Sequence, residues 1–257
     1  MKRYHAFTGA YLGDFIAPGS GGLGGPQGIA VGPDGHVYVS SRDSDNVLKY
    51  DKTTGAFLGV FASLPDMTFP ADLTFRGGLL YVSNFNPVSS YVARFNAVTG
   101  AFVDKFVTGL HTPDGQSWDS AGDLYVCSFG LGKVGKYNGT TGAFISDFVP
   151  SGFGGLSGAL DSRFEPNGDF LVNSFNTGTV KRYNSSGGFL GDFASVGGWT
   201  QGMEIGPDGN LYVGDYQNSI IKKYNRANGM LLGNFTVGGG LLQPNNFIFR
   251  IPIHQIS

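Results

Sequence analysis

The sequence predicts an all-β protein built from one repeated unit, and three observations support this. An octet that begins with Thr-Gly-Ala in its first four copies recurs six times, ending at Phe15, Phe61, Phe106, Phe148, Phe193 and Phe235. The copies are 42 to 46 residues apart, a period typical of proteins with one supersecondary unit per repeat. Short alternating apolar runs separated by Gly turns fill each period, and no segment has helical periodicity.

Each period contains signals for four strands. In the first complete period, residues 28–31 and 37–40 flank a Pro-Asp-Gly turn, where glycine supplies the positive φ of a tight hairpin. A third run, residues 46–50, ends in a basic and an aromatic residue, and a Thr-Gly turn then leads into residues 56–61. Four such runs in sequence indicate an antiparallel meander that must bury its faces against neighbouring copies.

Six copies arranged radially predict a six-bladed β-propeller of four-stranded antiparallel blades. The chain begins and ends with part of a repeat, so we expect N- and C-terminal strands to share one blade and close the ring. The tail departs from the pattern, because residues 251–257 lack the Gly turn. The chain is then a single domain, with blades at 16–61, 62–106, 107–148, 149–193, 194–235, and 236–257 together with 1–15.

Composition limits the classes of function. The 257 residues include 43 Gly and 12 Pro, 14% are charged, 14% are aromatic, and the net charge is −2. This balance argues against nucleic acid or an anionic membrane as the main partner, and no apolar run is long enough for a membrane span. The single cysteine, Cys127, excludes an intrachain disulfide. We expect a monomer.

Residues 26–40, with the sequence PQGIAVGPDGHVYVS, resemble the NHL repeat family, and the resemblance extends over nearly the whole chain. It implies the propeller fold, with streptogramin lyases and gluconolactonases as more distant relatives. The octet is similar to that of NHL-type propellers of environmental bacteria, which implies an extracellular or periplasmic location. The first fifteen residues show no signal peptide, so a cytoplasmic location stays open. One architecture hosts many chemistries, so the family implies little about function.

The first strand of each propeller blade lines the central channel, and ligands usually meet the loops at its mouth. Aligning the copies brings oxygen-bearing residues to this region, and they are the candidate ligands of Ca²⁺ or Mg²⁺: Asp72, Asp114, Asp161, Glu204 and Asn246. The set is similar, in residue type only, to the calcium centre of gluconolactonases and paraoxonases, whose own motifs are missing. Two alternatives stay open: a water-filled channel with Arg163 paired to Glu204 or Asp161, or direct binding of a polar ligand.

The loops between second and third strands align Arg42, Phe85, Phe129, Phe175 and Tyr216. They predict either an aromatic collar that stacks on a sugar or planar ligand, or contacts that fill the wedge between blades. Trp199 lies in a Gly-rich loop and has no counterpart in other copies, which makes it a candidate ligand contact. Trp118 aligns with apolar residues and is predicted to be in the core.

No convergent catalytic set is evident. His111 is the only histidine on the mouth side, and the catalytic candidates are His111, Glu204 and Arg163. Our leading hypothesis is a binding scaffold that presents a polar, aromatic-rimmed channel mouth to a small-molecule, carbohydrate or protein ligand. The alternative is a divalent-metal-assisted hydrolase or lyase, lactonase-like or streptogramin-lyase-like, with His111 as base.

Overall fold

The computed structural model describes residues 1–250, whose regular structure is 22 β-strands and four short 3-10 helices. Strands β1 (Lys2–Tyr4) and β2 (Tyr11–Asp14) form a two-stranded sheet. The other strands form five four-stranded antiparallel sheets, blades 1 to 5, each in sequential order.

Blade 1 consists of β3 (Pro26–Val31), β4 (Val37–Ser41), β5 (Asn46–Tyr50) and β6 (Phe57–Ser63). Blade 2 consists of β7 (Pro70–Arg76), β8 (Leu79–Asn84), β9 (Tyr91–Asn96) and β10 (Phe102–Thr108). Blade 3 consists of β11 (Pro113–Trp118), β12 (Leu124–Ser128), β13 (Lys133–Tyr137) and β14 (Phe144–Val149). Blade 4 consists of β15 (Ala159–Phe164), β16 (Phe170–Ser174), β17 (Thr179–Tyr183) and β18 (Phe189–Ser195). Blade 5 consists of β19 (Thr200–Ile205), β20 (Leu211–Asp215), β21 (Ile220–Tyr224) and β22 (Leu231–Asn234). The 3-10 helices are Ser20–Gly22, Arg42–Ser44, Phe153–Gly155 and Phe175–Thr177.

The prediction of six four-stranded blades is wrong, because the structure has five such sheets and the small β1–β2 sheet. Residues 235–250 form no strand, and only an isolated parallel bridge joins Val237 to Ala10. Pro244 has no N–H to donate to a ladder. The Asn245 carbonyl accepts a bond from the Gly202 amide of blade 5 (2.7 Å) instead of pairing with a partner strand of its own. Residues 251–257, assigned by the prediction to the same blade, lie outside the described residues.

The inner strands β3, β7, β11, β15 and β19 follow one another side by side round the axis. The gap between β19 and β3 is bridged by Asn245, which accepts from Gly202 and donates through its side-chain amide to the Pro26 carbonyl (2.9 Å). Phe247 and Phe249 pack on the core of blade 5, including Tyr212. The ring is therefore closed by side-chain and single backbone contacts.

The hairpin turns between first and second strands owe their shape to an aspartate. In blade 1, Asp34 accepts from the His36 amide (3.0 Å) and from the Tyr38 hydroxyl (3.0 Å), and it pairs with Lys49 (2.6 Å). Burial alone would raise the pKa of Asp34, but the bonds from Lys49, His36 and Tyr38 outweigh it and lower the pKa to about 2. Blades 3 and 5 repeat the arrangement with Asp119 and Asp208.

Aromatic wedges join blade 1 to blade 2, blade 2 to blade 3 and blade 3 to blade 4. Tyr38 of blade 1 packs edge-on against Phe75 of blade 2, with ring centroids 4.8 Å apart. Tyr81 meets Trp118 at 4.9 Å in the same way, so the predicted core tryptophan fills the wedge between blades 2 and 3. Each wedge removes large apolar area from water, the main favourable contribution to folding. None of the helices in residues 1–250 has the length and apolar content that crossing a membrane requires.

Candidate functional site

The channel mouth is built by a bulge that every blade shares. The pairing of first and second strands shifts by one residue at the same point of all five inner strands. In blade 1, Pro26 lies opposite Ser41 and Ile29 opposite Val39, which leaves Gln27 and Gly28 without ladder partners. Bulges of this kind redirect side chains and are common near functional sites.

These bulge residues meet in one cavity at the mouth. Its volume is about 20 Å³, room for one or two waters or a monatomic ion but not for a sugar ring. It is lined by Gln27, Gly28, Asp72, Asp114, Gly115, Leu160, Asp161, Gln201, Gly202, Asn245 and Asn246. Four of the five predicted oxygen ligands therefore come together here, and the fifth, Glu204, does not line the cavity.

Glycine and an oxygen-bearing residue alternate round the second bulge position: Gly28, Asp72, Gly115, Asp161, Gly202 and Asn246. Glycine is required at these positions because the backbone of the next segment lies too close for a Cβ atom. A Cβ on Gly115 would lie 2.4 Å from the Leu160 carbonyl oxygen and 2.8 Å from the Asp161 Cα, and Gly28 and Gly202 are pressed in the same way against the next segment. The alternation gives the mouth an approximate threefold pattern of side-chain oxygens.

Two of these carboxylates cross from one blade to the next. Asp72 accepts from the Gln116 amide of blade 3 (2.9 Å), and Asp161 accepts from the Met203 amide of blade 5 (2.7 Å). Burial raises the pKa of Asp72 to about 6 despite the amide of Gln116. Burial and the nearby charge of Asp72 raise the pKa of Asp161 to about 7.

Asp114 is the third carboxylate of the mouth, and no side chain or amide in residues 1–250 donates a hydrogen bond to it. Burial, followed by the charges of Asp72 and Asp161, raises its pKa well above the ordinary range. Behind the cluster lies Cys127, fully buried, whose thiol pKa is also raised by burial. The mouth thus concentrates three mutually repelling carboxyls in little water, an arrangement that costs stability whenever they are ionised.

The catalytic candidates are not brought together. Arg163 donates to Glu204 (3.1 Å), as the water-filled alternative anticipated, and lies beside Glu165, which also binds Arg226. His111 lies outside the mouth and lines a separate cavity in blade 3. Across the described part of the chain, no group of three or more His, Cys, Asp or Glu is arranged to hold a metal ion. The calcium or magnesium site therefore stays a prediction.

Around the mouth, six half-exposed or exposed rings form what we call the aromatic arc: Phe69, Phe85, Phe129, Phe175, Trp199 and Tyr216. Neighbouring centroids are 4.9 Å apart for Phe69–Phe85, 5.7 Å for Phe85–Phe129, 5.6 Å for Phe129–Phe175 and 5.2 Å for Phe175–Trp199. Tyr216 lies 6.3 Å from both Phe175 and Trp199. The guanidinium of Arg42, which is paired with Asp43, lies 5.4 Å from the Phe69 ring and ends the arc.

One backbone contact per blade fixes the arc. The amide of each collar residue donates to the carbonyl of the residue just before the inner strand, as from Phe85 to Phe69 (3.0 Å) and from Tyr216 to Trp199 (2.9 Å). Phe69 has a φ of 59°, a strained value for a bulky residue at a position that is glycine in blades 1 and 4. The sequence alone did not indicate a role for Phe69, because the aligned residues in blades 3 and 5 are Thr112 and Trp199 and nothing marks the positive φ.

Comparisons with known proteins place the fold. No protein-family model matches the chain, and no curated protein matches it. Among solved structures, virginiamycin B lyase from Staphylococcus aureus is 16% identical over 86% of this chain and 73% of that chain, with a TM-score of 0.64. A streptogramin B lyase is 16% identical over 90% of this chain and 74% of that chain, with a TM-score of 0.65.

A chain in a nidogen/laminin complex is similar too, with 14% identity over 86% of this chain and 83% of that chain and a TM-score of 0.68. Identities this low carry the architecture alone. The chain is a β-propeller, and the expected NHL-type resemblance is supported at the level of the propeller fold.

Proposed function

We propose that the protein is a binding scaffold whose aromatic arc and acidic mouth together hold a peptide segment of a partner protein. The observation that carries the proposal is the continuity of the arc, in which six rings from blades 2 to 5 form one surface around the mouth. Aromatic side chains of this kind supply much of the affinity at protein interfaces.

The size of the mouth favours a partner that lies across the face. A cavity of about 20 Å³ cannot enclose a drug-sized or sugar-sized ligand. At pH 8, above the pKa of about 6 for Asp72 and about 7 for Asp161, these carboxylates place negative charge at the centre of the arc, so a lysine or arginine of the partner would rest over the mouth while apolar side chains pack on the rings. The similar propeller in a nidogen/laminin complex shows that this fold occurs in a protein–protein assembly.

The alternative function is supported less well. A metal-assisted hydrolase or lyase would use His111 as base beside the mouth carboxylates, but His111 lines another cavity. Arg163 and Glu204 are engaged with each other. Apart from its carboxyls, the lining of the mouth cavity offers no second titratable side chain to complete a proton transfer.

Selection of displayed random peptides on the immobilised protein tests the proposal. We expect selected peptides to combine aromatic or apolar residues with lysine or arginine, and Phe175→Ser or Trp199→Ser to weaken their binding at least tenfold. Phe144→Ser is the control, because Phe144 is exposed, as Trp199 is, but lies on the outer strand β14. Equal losses of peptide affinity in the arc variants and in the control variant would contradict the proposal. So would a selection that yields no peptide while the protein binds members of a sugar panel.

A further inference from the structure

A second cavity lies inside blade 3, away from the channel mouth. Its volume is about 50 Å³, space for about four water-sized atoms. The apolar part of its wall comes from Leu110, Pro113, Val126 and Leu131, and the polar part from His111, Ser128, Lys133 and Tyr137. Two of its lining residues, Leu131 and His111, are exposed to solvent.

The cavity exists because blade 3 lacks a side chain that the other blades have. Position Gly135 of β13 corresponds to Leu48, Ala93, Lys181 and Lys222 in the other third strands. Leu48 and Lys181 are buried and fill this space, while in blade 2 the buried Met67 lies in the same core cluster as Ala93. In blade 3 a four-carbon stem is missing.

The floor of the cavity carries a hydroxyl without a protein partner. Tyr137 is 7% exposed, and burial raises its pKa to about 12, but no group in residues 1–250 forms a hydrogen bond with its hydroxyl. The corresponding tyrosines are satisfied: Tyr50 donates to the Ser20 carbonyl (2.8 Å) and Tyr183 to the Phe153 carbonyl (2.9 Å). A Cβ on Gly135 would lie 2.7 Å from the Tyr137 hydroxyl and 2.8 Å from its Cε2, so the tyrosine ring leans over the glycine at the edge of the cavity.

In blade 3, Lys133 already supplies the positive charge that a lysine at position 135 would bring. Gly135 lies opposite Asp147 in the strand register, as Lys181 lies opposite Asp192 and binds it (2.7 Å). In blade 3, Lys133 reaches over and binds Asp147 (2.7 Å) instead. The vacant part is therefore the uncharged stem, and a second ammonium would be repelled while a buried carboxylate would be desolvated.

We propose that this cavity binds a small uncharged ligand of four or five heavy atoms, with a short apolar chain and one oxygen that pairs with the Tyr137 hydroxyl. A short alcohol or ketone has this chemistry. The apolar wall holds the chain, and the oxygen pairs with the Tyr137 hydroxyl, which no group in residues 1–250 binds.

Titration of the isotope-labelled protein with butan-1-ol, followed by NMR, tests the proposal. We expect saturable shifts of the Val126 methyl and Tyr137 ring signals, with weaker effects from butylammonium and from butyrate. Equal or stronger binding of either charged probe, or the absence of saturable shifts at these residues, would overturn it and leave the cavity to water.

Three variants locate the site. Gly135→Leu, which copies blade 1, should abolish the shifts, and its melting temperature shows whether it is folded. Tyr137→Phe, which copies Phe95 of blade 2, should weaken binding about threefold to tenfold. Tyr183→Phe removes a hydroxyl already satisfied in blade 4 and should leave butanol binding unchanged. Unchanged binding in folded Gly135→Leu or in Tyr137→Phe would overturn the assignment.

Discussion

The two ends of the propeller use the same residue types to opposite effect. At the hairpin end, Asp34 and Asp208 each bind a lysine, a tyrosine hydroxyl and a backbone amide, and these bonds lower the pKa of both carboxyls. At the mouth end, Asp72, Asp114 and Asp161 lie close to one another, and burial raises the pKa of all three. The hairpin end is arranged for stability, whereas the mouth end keeps charge and exposed rings that stability alone does not require.

Aromatic residues show the same division. The exposed rings of the outer strands pack within their own blades, as Phe144 does on Tyr137 (5.6 Å) and Phe189 on Tyr183 (5.5 Å). Rings of the arc instead contact rings of the next blade, so separate residues become one surface. The contacts repeated within each blade stabilise the propeller, whereas the contacts between blades at the mouth form the candidate binding face.

The largest expected effect on stability is at the glycines of the mouth. Gly115→Ala should lower the free energy of unfolding by about 3 kcal/mol, because its Cβ would meet the backbone of Leu160 and Asp161. Gly209→Ala at the hairpin end should cost about 1 kcal/mol, because its space is open and only its positive φ is unfavourable. Denaturant unfolding of both variants measures the difference. Equal losses would remove the claim that the mouth is held by close backbone approach.

Replacing a carboxyl with a neutral amide should change the free energy of unfolding in opposite directions at the two ends of the propeller. Asp208→Asn should lower the free energy of unfolding by about 1–2 kcal/mol, because Lys223 and Tyr212 lose their charged partner. Asp114→Asn should raise it by about 1 kcal/mol at pH 8, because burial and the charges of Asp72 and Asp161 oppose ionisation of Asp114 and the carboxyl has no hydrogen-bond donor to lose. Thermal unfolding at one pH compares the two. A loss of stability in Asp114→Asn as large as that in Asp208→Asn would contradict the proposed difference between the two ends.

Stability should change with pH in two directions. A folded pKa of about 6 for Asp72 and about 7 for Asp161 lies above the unfolded value of 3.8, so the native state binds more protons in that interval and stability rises as the pH falls from 8 to about 4. Asp34, with a folded pKa of about 2, contributes stability that is lost as the pH falls below about 4. Melting temperatures across this range should pass through a maximum near pH 4–5. A steady fall of the melting temperature from pH 8 to pH 5 would contradict the raised pKa values of the mouth.

Much of this arrangement follows from the repeats. The aligned copies predict that Asp72, Asp114 and Asp161 lie at one end of the propeller. The prediction works because every inner strand has the same bulge, so residues aligned in sequence occupy equivalent positions in the structure. Two features could not be read from the alignment. A sixth four-stranded sheet would form only if the backbone of residues 236–250 paired with another strand. Pro244 lacks the N–H for such pairing, and Asn245 bonds to Gly202 and Pro26 instead. The arc depends on a positive φ at Phe69, which lies outside any helix or strand pattern.

The most direct test of the account is the pH dependence of peptide affinity. For a selected peptide carrying a basic residue, we expect the dissociation constant, followed through Trp199 fluorescence, to rise severalfold between pH 8 and pH 5 as the mouth carboxylates are protonated. Stability should increase over the same interval, and Asp72→Asn should bind more weakly at pH 8, where Asp72 with its pKa of about 6 is ionised. An affinity that is unchanged or stronger at pH 5, or unaffected by Asp72→Asn, would contradict the claim that the mouth carboxylates are kept for binding.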